Sequence, residues 1–224
     1  MKPRDRILDA AMAVFRRHGF RRSSIEQAAE AAGLTRQALY HHFKSKEALF
    51  RAVIVRVHED AMTAEVAATN AAEKAGGGLA DILVAGVTAR LRQFIASFEG
   101  SPHIEELFSE HLLQARDLYQ KYAGLYAAHS AATIERVCRK QRLVLTDGMT
   151  PPKLAQYLEM AINGAKSAHP GMQPADAFVD TLTTMARMLV AGAVTPLPKP
   201  SSAKPATKKT VPKKPVRQKS GGRK

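Results

Sequence analysis

Apolar residues recur three and four positions apart over most of the chain, with charged residues between them, the period of helices that bury one face. Ile7, Ala11, Val14 and Phe15 form one such stripe and predict a first helix from Arg4 to His18, stopped at Gly19. A second is expected over Ile25 to Ala32, because Ser23 or Ser24 precedes Glu26 or Gln27 by three residues, a capping-box spacing. Gly33 ends it. Thr35 can cap the next helix, in which Leu39 and Phe43 share a face while Arg36, Gln37, Tyr40 and His41 point mostly elsewhere. Two short helices about a tight turn therefore pack on one side and present hydrogen-bonding groups on the other.

Ser45 opens a longer helix through Leu49, Phe50, Val53, Ile54 and Val57 as far as Ala72, and Gly76-Gly77-Gly78 provides a corner. The helical period resumes from Asp81 to Phe98 and breaks at Gly100-Ser101-Pro102, where a new helix carries Glu105 and Glu106 in its first turn. It continues to Arg142, with an interruption expected near Asp117 or Gly124. Thr146-Asp147-Gly148 closes that region. Thr150-Pro151-Pro152 starts a helix containing Leu154, Tyr157, Leu158, Ala161, Ile162 and Ala165; after the turn at His169-Pro170-Gly171, a last helix runs from about Pro174 to Val194. No alternating valine, isoleucine and threonine run stands between turn signals, so the fold class expected is all-α, without strands.

Composition changes this picture mainly through charge. The chain has 224 residues, 45% hydrophobic, and a net charge of +14. Residues 1–60 carry +5, residues 61–195 carry −1, and residues 196–224 carry +10 with six prolines and no acid. A basic N-terminal part and a basic end around a neutral middle point to a polyanionic partner, nucleic acid before acidic membrane. The terminal segment lacks the apolar residues that would let it fold, and disorder is expected there. The single cysteine, Cys138, excludes an internal disulfide framework and fits a reducing, cytoplasmic setting. The N-terminal residues interleave charge with apolar positions, unlike a secretory signal, and no apolar run is long enough to span a membrane.

The residues that read as helix, turn and helix are those of a DNA-binding helix-turn-helix, whose second helix enters the major groove. Here the sequence resembles the TetR family of bacterial transcriptional regulators. The matching features are Arg6-Ile7-Leu8 with Ala10-Ala11, Phe15, Gly19, Ala32-Gly33-Leu34-Thr35, Leu39-Tyr40, Phe43, Ser45-Lys46-Glu47 and Leu49. Ala28 stands where the family usually has isoleucine, and Gln37 where it often has glycine. The resemblance implies an N-terminal three-helix DNA-binding domain (residues 1–46), a helical effector-binding and dimerisation domain (47–195), and a Lys/Pro-rich tail (196–224) outside the family pattern.

It also implies site residues. Ser24, Thr35, Arg36, Gln37, Tyr40, His41, His42 and Lys46 would meet DNA, with Lys46 on a phosphate; geometry favours Arg36 for guanine and Gln37 for adenine. Arg16, Arg17, Arg21 and Arg22 have two readings, phosphate contact and favourable interaction with the helix dipole. Phe94, Phe98, Phe108, His111, Tyr119, Tyr122 and Tyr126 would line a small-molecule site, although an aromatic stripe at helical spacing also makes ordinary core. Tyr157, Leu158, Ile162, Phe178, Leu182, Met185 and Leu189 would form the dimer contact, and burial inside one subunit gives the same pattern.

The eight histidines show no repeated metal-ligand spacing, the glycine triplet lacks the lysine and hydroxyl residue of a phosphate loop, and there is no G-x-S-x-G elbow, so neither a cofactor nor an enzyme is expected. The expected function is a homodimeric repressor released from a palindromic double-stranded operator by a small-molecule effector. The alternative is a DNA-organising protein that binds largely through its basic tail and has no effector.

Overall fold

A computed structural model describes residues 3–197, and among these the chain forms nine α-helices. The first, α1 (Pro3–Arg22), has its helical run broken at Gly19 (φ 75°, ψ 168°), the stop expected from sequence. α2 (Ile25–Ala31) begins with a capping box in which the Ser24 hydroxyl accepts from the Gln27 amide and the Gln27 side chain accepts from the Ser24 amide. Such a cap contributes about 1 kcal/mol. The end of α2 is closed by Gly33 N–H to the Glu30 carbonyl and Leu34 N–H to the Ala29 carbonyl, both 2.9 Å. That pattern requires a left-handed residue, and Gly33 supplies it at φ 66°. α3 (Arg36–His42) follows at once, its Ala38 amide capped by Thr35.

Ser45 caps α4 (Lys46–Lys74), whose first turns complete the N-terminal core. Phe15, Phe20 and Phe50 meet there with ring centroids 4.8 to 6.0 Å apart, and Ile7, Leu8, Leu39 and Leu49 are almost wholly buried beside them. The glycine corner leads to α5 (Leu79–Phe98), the central helix of the remaining body. Gly86 lets it lie close to α4, since a Cβ at that position would stand 2.3 Å from the Thr69 hydroxyl. α6 (Ile104–Gln114) and α7 (Arg116–Gln141) are separated only at Ala115, which leaves helical geometry at φ −141°. The break lies beside one of the two expected places.

α8 (Pro151–Ala168) begins under the Thr150 cap, a 3₁₀ turn occupies Pro170–Met172, and α9 (Ala175–Ala193) closes the bundle. α5, α8 and α9 share a core of Val87, Leu91, Ile95, Ala165, Phe178, Val179 and Leu182. A second cluster joins Leu79, Ile82 and Leu83 to Ile134 and Val137 of α7, Leu154 and Leu158 of α8, and Val190 of α9.

The all-α expectation holds with one correction. β1 (Leu143–Leu145) and β2 (Val194–Pro196) pair antiparallel, Leu143 against Pro196. Three-residue strands are too short to show an alternating pattern, and proline is tolerated because each strand of a two-stranded ribbon is an edge. Pro196, assigned from sequence to the tail, therefore belongs to the folded body. The rest of the expected disordered tail, residues 198–224, lies outside the described residues.

Candidate nucleic-acid interface and core cavity

α3 is held by its apolar side and open on the other. Leu39 is completely buried and Phe43 nearly so, whereas Thr35, Arg36, Gln37, His41 and His42 are exposed and Tyr40 is half-buried. Arg36 donates from Nε to Glu26 Oε1 at 2.8 Å and lies over the Tyr40 ring at 5.4 Å, which orders its guanidinium beside the exposed face. Ser24 is half-buried at the start of α2. The structure thus brings seven of the eight residues assigned to DNA onto or beside one surface.

Lys46 stands apart from that surface role. Its ammonium donates to the carbonyls of Phe20 (2.9 Å), Ser23 (3.0 Å) and Arg21 (3.3 Å) and sits 4.5 Å from the Phe20 ring centre. Three carbonyls fill its three N–H positions, so in this state it ties α4 to the α1–α2 joint and has no proton left for a phosphate. Lys46→Met is expected to lower stability by about 1–3 kcal/mol and to weaken binding to all DNA sequences alike. Thermal melts paired with affinities for operator and random duplexes check both effects.

Three of the four arginines near the end of α1 are also engaged within the protein. Arg21 donates from Nε to Glu110 at 2.8 Å, and its backbone amide donates to Glu106 at 2.8 Å; Arg22 meets the His103 ring at 3.1 Å; Arg16 donates to the Glu99 carbonyl. Ser101 adds a hydroxyl bond to the Arg16 carbonyl at 2.8 Å. These contacts join the helix-turn-helix to α6 and the loop before it. On α4, Arg51 grips Asp117 through two bonds of 2.6 and 2.7 Å and also donates to the Gln114 carbonyl, which adds a second joint; Arg51 holds the Asp117 carboxyl down to about 2.

The other face of α6 looks into the body of the protein. Phe108 and His111 line a cavity of about 180 Å³ together with Phe94, Tyr119 and Tyr126. Two residues expected in its lining lie elsewhere: Phe98 is buried in the N-terminal core, edge-on to Phe108 at 5.2 Å, and Tyr122 stacks flat on His58 at 4.4 Å. The cavity has a polar wall that sequence reasoning missed, made by His58, Arg90, Glu159 and Lys166. A signal was available. His58 and Glu65 interrupt the buried stripe of α4, as Arg90 interrupts that of α5, and a polar residue inside such a stripe needs a buried partner.

Those partners are present. Arg90 reaches Glu159 at 2.9 Å and Glu65 at 3.4 Å and lies 4.1 Å from the Tyr126 ring centre. Burial raises the Glu65 carboxyl to about 6, with Arg90 pulling against it. His58 Nδ1 meets the Tyr126 hydroxyl at 2.9 Å, that hydroxyl donates to the His58 carbonyl at 3.2 Å, and His58 Nε2 meets His111 Nε2 at 3.2 Å. Desolvation lowers the two imidazoles to about 3 and about 4, so both are neutral near pH 7.

Comparison with known proteins bears on both features. Residues 7–53 match the family model of bacterial regulatory proteins of the tetR family. The HTH-type transcriptional repressor Rv1474c of Mycobacterium tuberculosis is 29% identical over 168 residues, covering 72% of this chain and 79% of that protein. The transcriptional regulator UidR of Escherichia coli is 41% identical over 59 residues, 26% of this chain and 30% of UidR. In fold, the chain superposes with TM-score 0.59 and 23% identity on SmeT, the repressor of the Stenotrophomonas maltophilia multidrug efflux pump SmeDEF, over 87% of this chain and 97% of that one.

The helix-turn-helix segment of the chain, residues 7–53, belongs to the TetR family. The chain is a helix-turn-helix transcriptional regulator and, like other TetR-family regulators, not an enzyme. The higher identity of UidR covers 26% of the chain, whereas the fold likeness to SmeT covers 87% of it. No helix among the described residues is long and apolar enough to cross a membrane, and none of the described His, Cys, Asp and Glu residues cluster in threes as metal ligands would.

For a TetR-family chain the last two helices invite a dimer reading, and here the structure corrects four of the seven residues assigned to it. Leu158, Ile162, Phe178 and Leu182 are 0–3% exposed and packed inside their own subunit. The apolar surface on α8 and α9 is formed instead by Tyr157, Met185 and Leu189 with Met160 and Met188, the last two 56% and 70% exposed.

Proposed function

We propose that the chain is a homodimeric repressor that reads a palindromic operator through α3 and releases it when a small molecule enters the core cavity. The observation that carries the DNA reading is the division of α3 into a buried Leu39 side and an exposed side bearing Thr35, Arg36, Gln37, His41 and His42. Arg36 offers the forked donor that fits guanine, and Gln37 the amide that fits adenine; Tyr40, His42 and the N-cap Ser24 are placed for phosphates. Residues 1–46 serve DNA and residues 47–195 serve effector and partner, with the first turns of α4 shared. The names of relatives such as Rv1474c and SmeT support repression.

Pairing through Tyr157, Met160, Met185, Met188 and Leu189 covers an apolar patch and sets two recognition helices about one two-fold axis. The effector acts through α6. That helix carries Phe108 and His111 at the cavity and Glu106 and Glu110 on the Arg21 backbone and side chain, so its displacement pulls on the joint from which α2 and α3 hang. A ligand releases DNA only by favouring the conformation that binds DNA less well.

Footprinting on sequences selected from random DNA should give short protected sites with palindromic halves; uniform coverage would favour the DNA-organising alternative. Arg36→Ala is expected to reduce affinity for the selected site by about 1–3 kcal/mol and to relax selectivity at one base pair. An equal loss on random duplex would remove Arg36 from base reading.

A further inference from the structure

The cavity's size and its arrangement of charge narrow the class of molecule that it takes. A volume of about 180 Å³ is small for an effector site. An engineered protein cavity of about 150 Å³ holds a benzene molecule, so this one has room for a single ring and a small substituent. Leu91, Phe94, Phe108 and Ile162 supply apolar walls suited to such a ring.

The charges are unevenly committed. Both carboxylates near the cavity, Glu65 and Glu159, are turned to Arg90. Among the described residues Lys166 has no ion-pair or hydrogen-bond partner; the nearest recorded contact of its ammonium is the Tyr119 ring, 5.8 Å to the centre. Burial, and then the Arg90 charge, lower its basicity against the opposing pull of Glu159. Lys166 is only partly buried, so its ammonium is hydrated at the cavity, and an anion entering there would take the place of that water as its partner.

The histidines do not compete for that anion, because they are neutral. His58 Nδ1 meets the Tyr126 hydroxyl at 2.9 Å and His58 Nε2 meets His111 Nε2 at 3.2 Å, so the two rings are engaged with each other and with the phenol.

Taking the cavity as the effector site, we propose that its ligand is a monocyclic aromatic carboxylate, with the carboxylate paired to the Lys166 ammonium and the ring packed against the wall formed by Phe94 and Phe108. Titration calorimetry on the full chain near neutral pH, with benzoate, benzamide and benzylammonium as probes, tests this. Benzoate is expected to bind about ten- to a hundredfold more tightly than benzamide, and benzylammonium not to bind. Lys166→Met should erase the preference for benzoate and Lys166→Arg should retain it, with circular dichroism confirming that both variants fold.

Each other outcome is decisive. Benzamide or benzylammonium binding as tightly as benzoate and releasing operator DNA would overturn the anionic class while leaving the cavity as the effector site. A preference that survives in Lys166→Met would remove Lys166 as the counter-charge. No heat and no melting shift with any of the three would overturn the proposal and the cavity reading together.

Discussion

Arg90→Ala should lower the unfolding free energy by about 3–5 kcal/mol, because it strands a carboxylate in the protein interior. Glu65 is 2% exposed and has the Arg90 guanidinium at 3.4 Å as its counter-charge; Glu159 shares the same arginine. Glu65 has no solvent to turn to if Arg90 is removed, whereas the side chain of Glu159 is 24% exposed and can be hydrated. The deficit should depend on pH with a definite sign. The folded-state carboxyl of Glu65 is already raised to about 6, above its unfolded value, so its contribution is fully present below about 4.5 and lost as pH rises through 6. Removing Arg90 raises that carboxyl further. The variant's deficit should therefore be larger near pH 8 than near pH 5, where proton uptake neutralises the stranded group. Urea unfolding of both proteins across this range checks the sign. Replacing Glu65 by leucine and Arg90 by methionine together should recover much of the loss, since an apolar pair of similar volume fills the space without a charge to desolvate.

Phe178→Ala should cost about 3–5 kcal/mol through a cavity in the α5–α8–α9 core, with the mass measured by sedimentation unchanged if the ring is purely internal. Met188→Asp provides the contrast. That side chain is 70% exposed, so the substitution should leave the subunit's own fold nearly unchanged while halving the mass measured by sedimentation. If Phe178→Ala instead dissociated a folded subunit, or if Met188→Asp left the mass unaltered, the assignment of inner and outer faces on α9 would be reversed.

Both predictions depend on assignments that lie at the edge of what sequence can reveal. The helix starts were legible because their chemistry is local. Ser24, Thr35, Ser45 and Thr150 each cap the amide three residues on, and each could be read from its neighbours alone. The turn at Gly33 was legible for the same reason. Apolar spacing likewise showed that α8 and α9 bury a face. It could not show against what, because Leu158 and Phe178 meeting their own subunit present the same pattern as residues meeting a partner. Two tightly packed residues within the aromatic stripe, Phe98 and Tyr122, were assigned to the cavity on similar grounds and stand behind it.

Polar residues followed the same division. The exposed side of α3 could be inferred from Leu39 and Phe43, one helical turn apart. Lys46 could not be placed, since the carbonyls it holds belong to residues 23 to 26 positions earlier. Arg90, Glu65 and Glu159 come from three helices, and Lys166 becomes a cavity residue only when α8 closes over α5 and α7.

From its order of residues alone, then, the chain's helical class, most of its helix boundaries and the helix proposed to read DNA follow, because caps, turns and apolar periods act over three to seven positions. Folding in three dimensions decided which apolar faces remain outside, which cations are already spent on carbonyls and carboxylates, and which one faces a cavity with no partner. Those are sums over contacts between helices far apart in sequence, and burial and electrostatic pairing are fixed only when the helices meet.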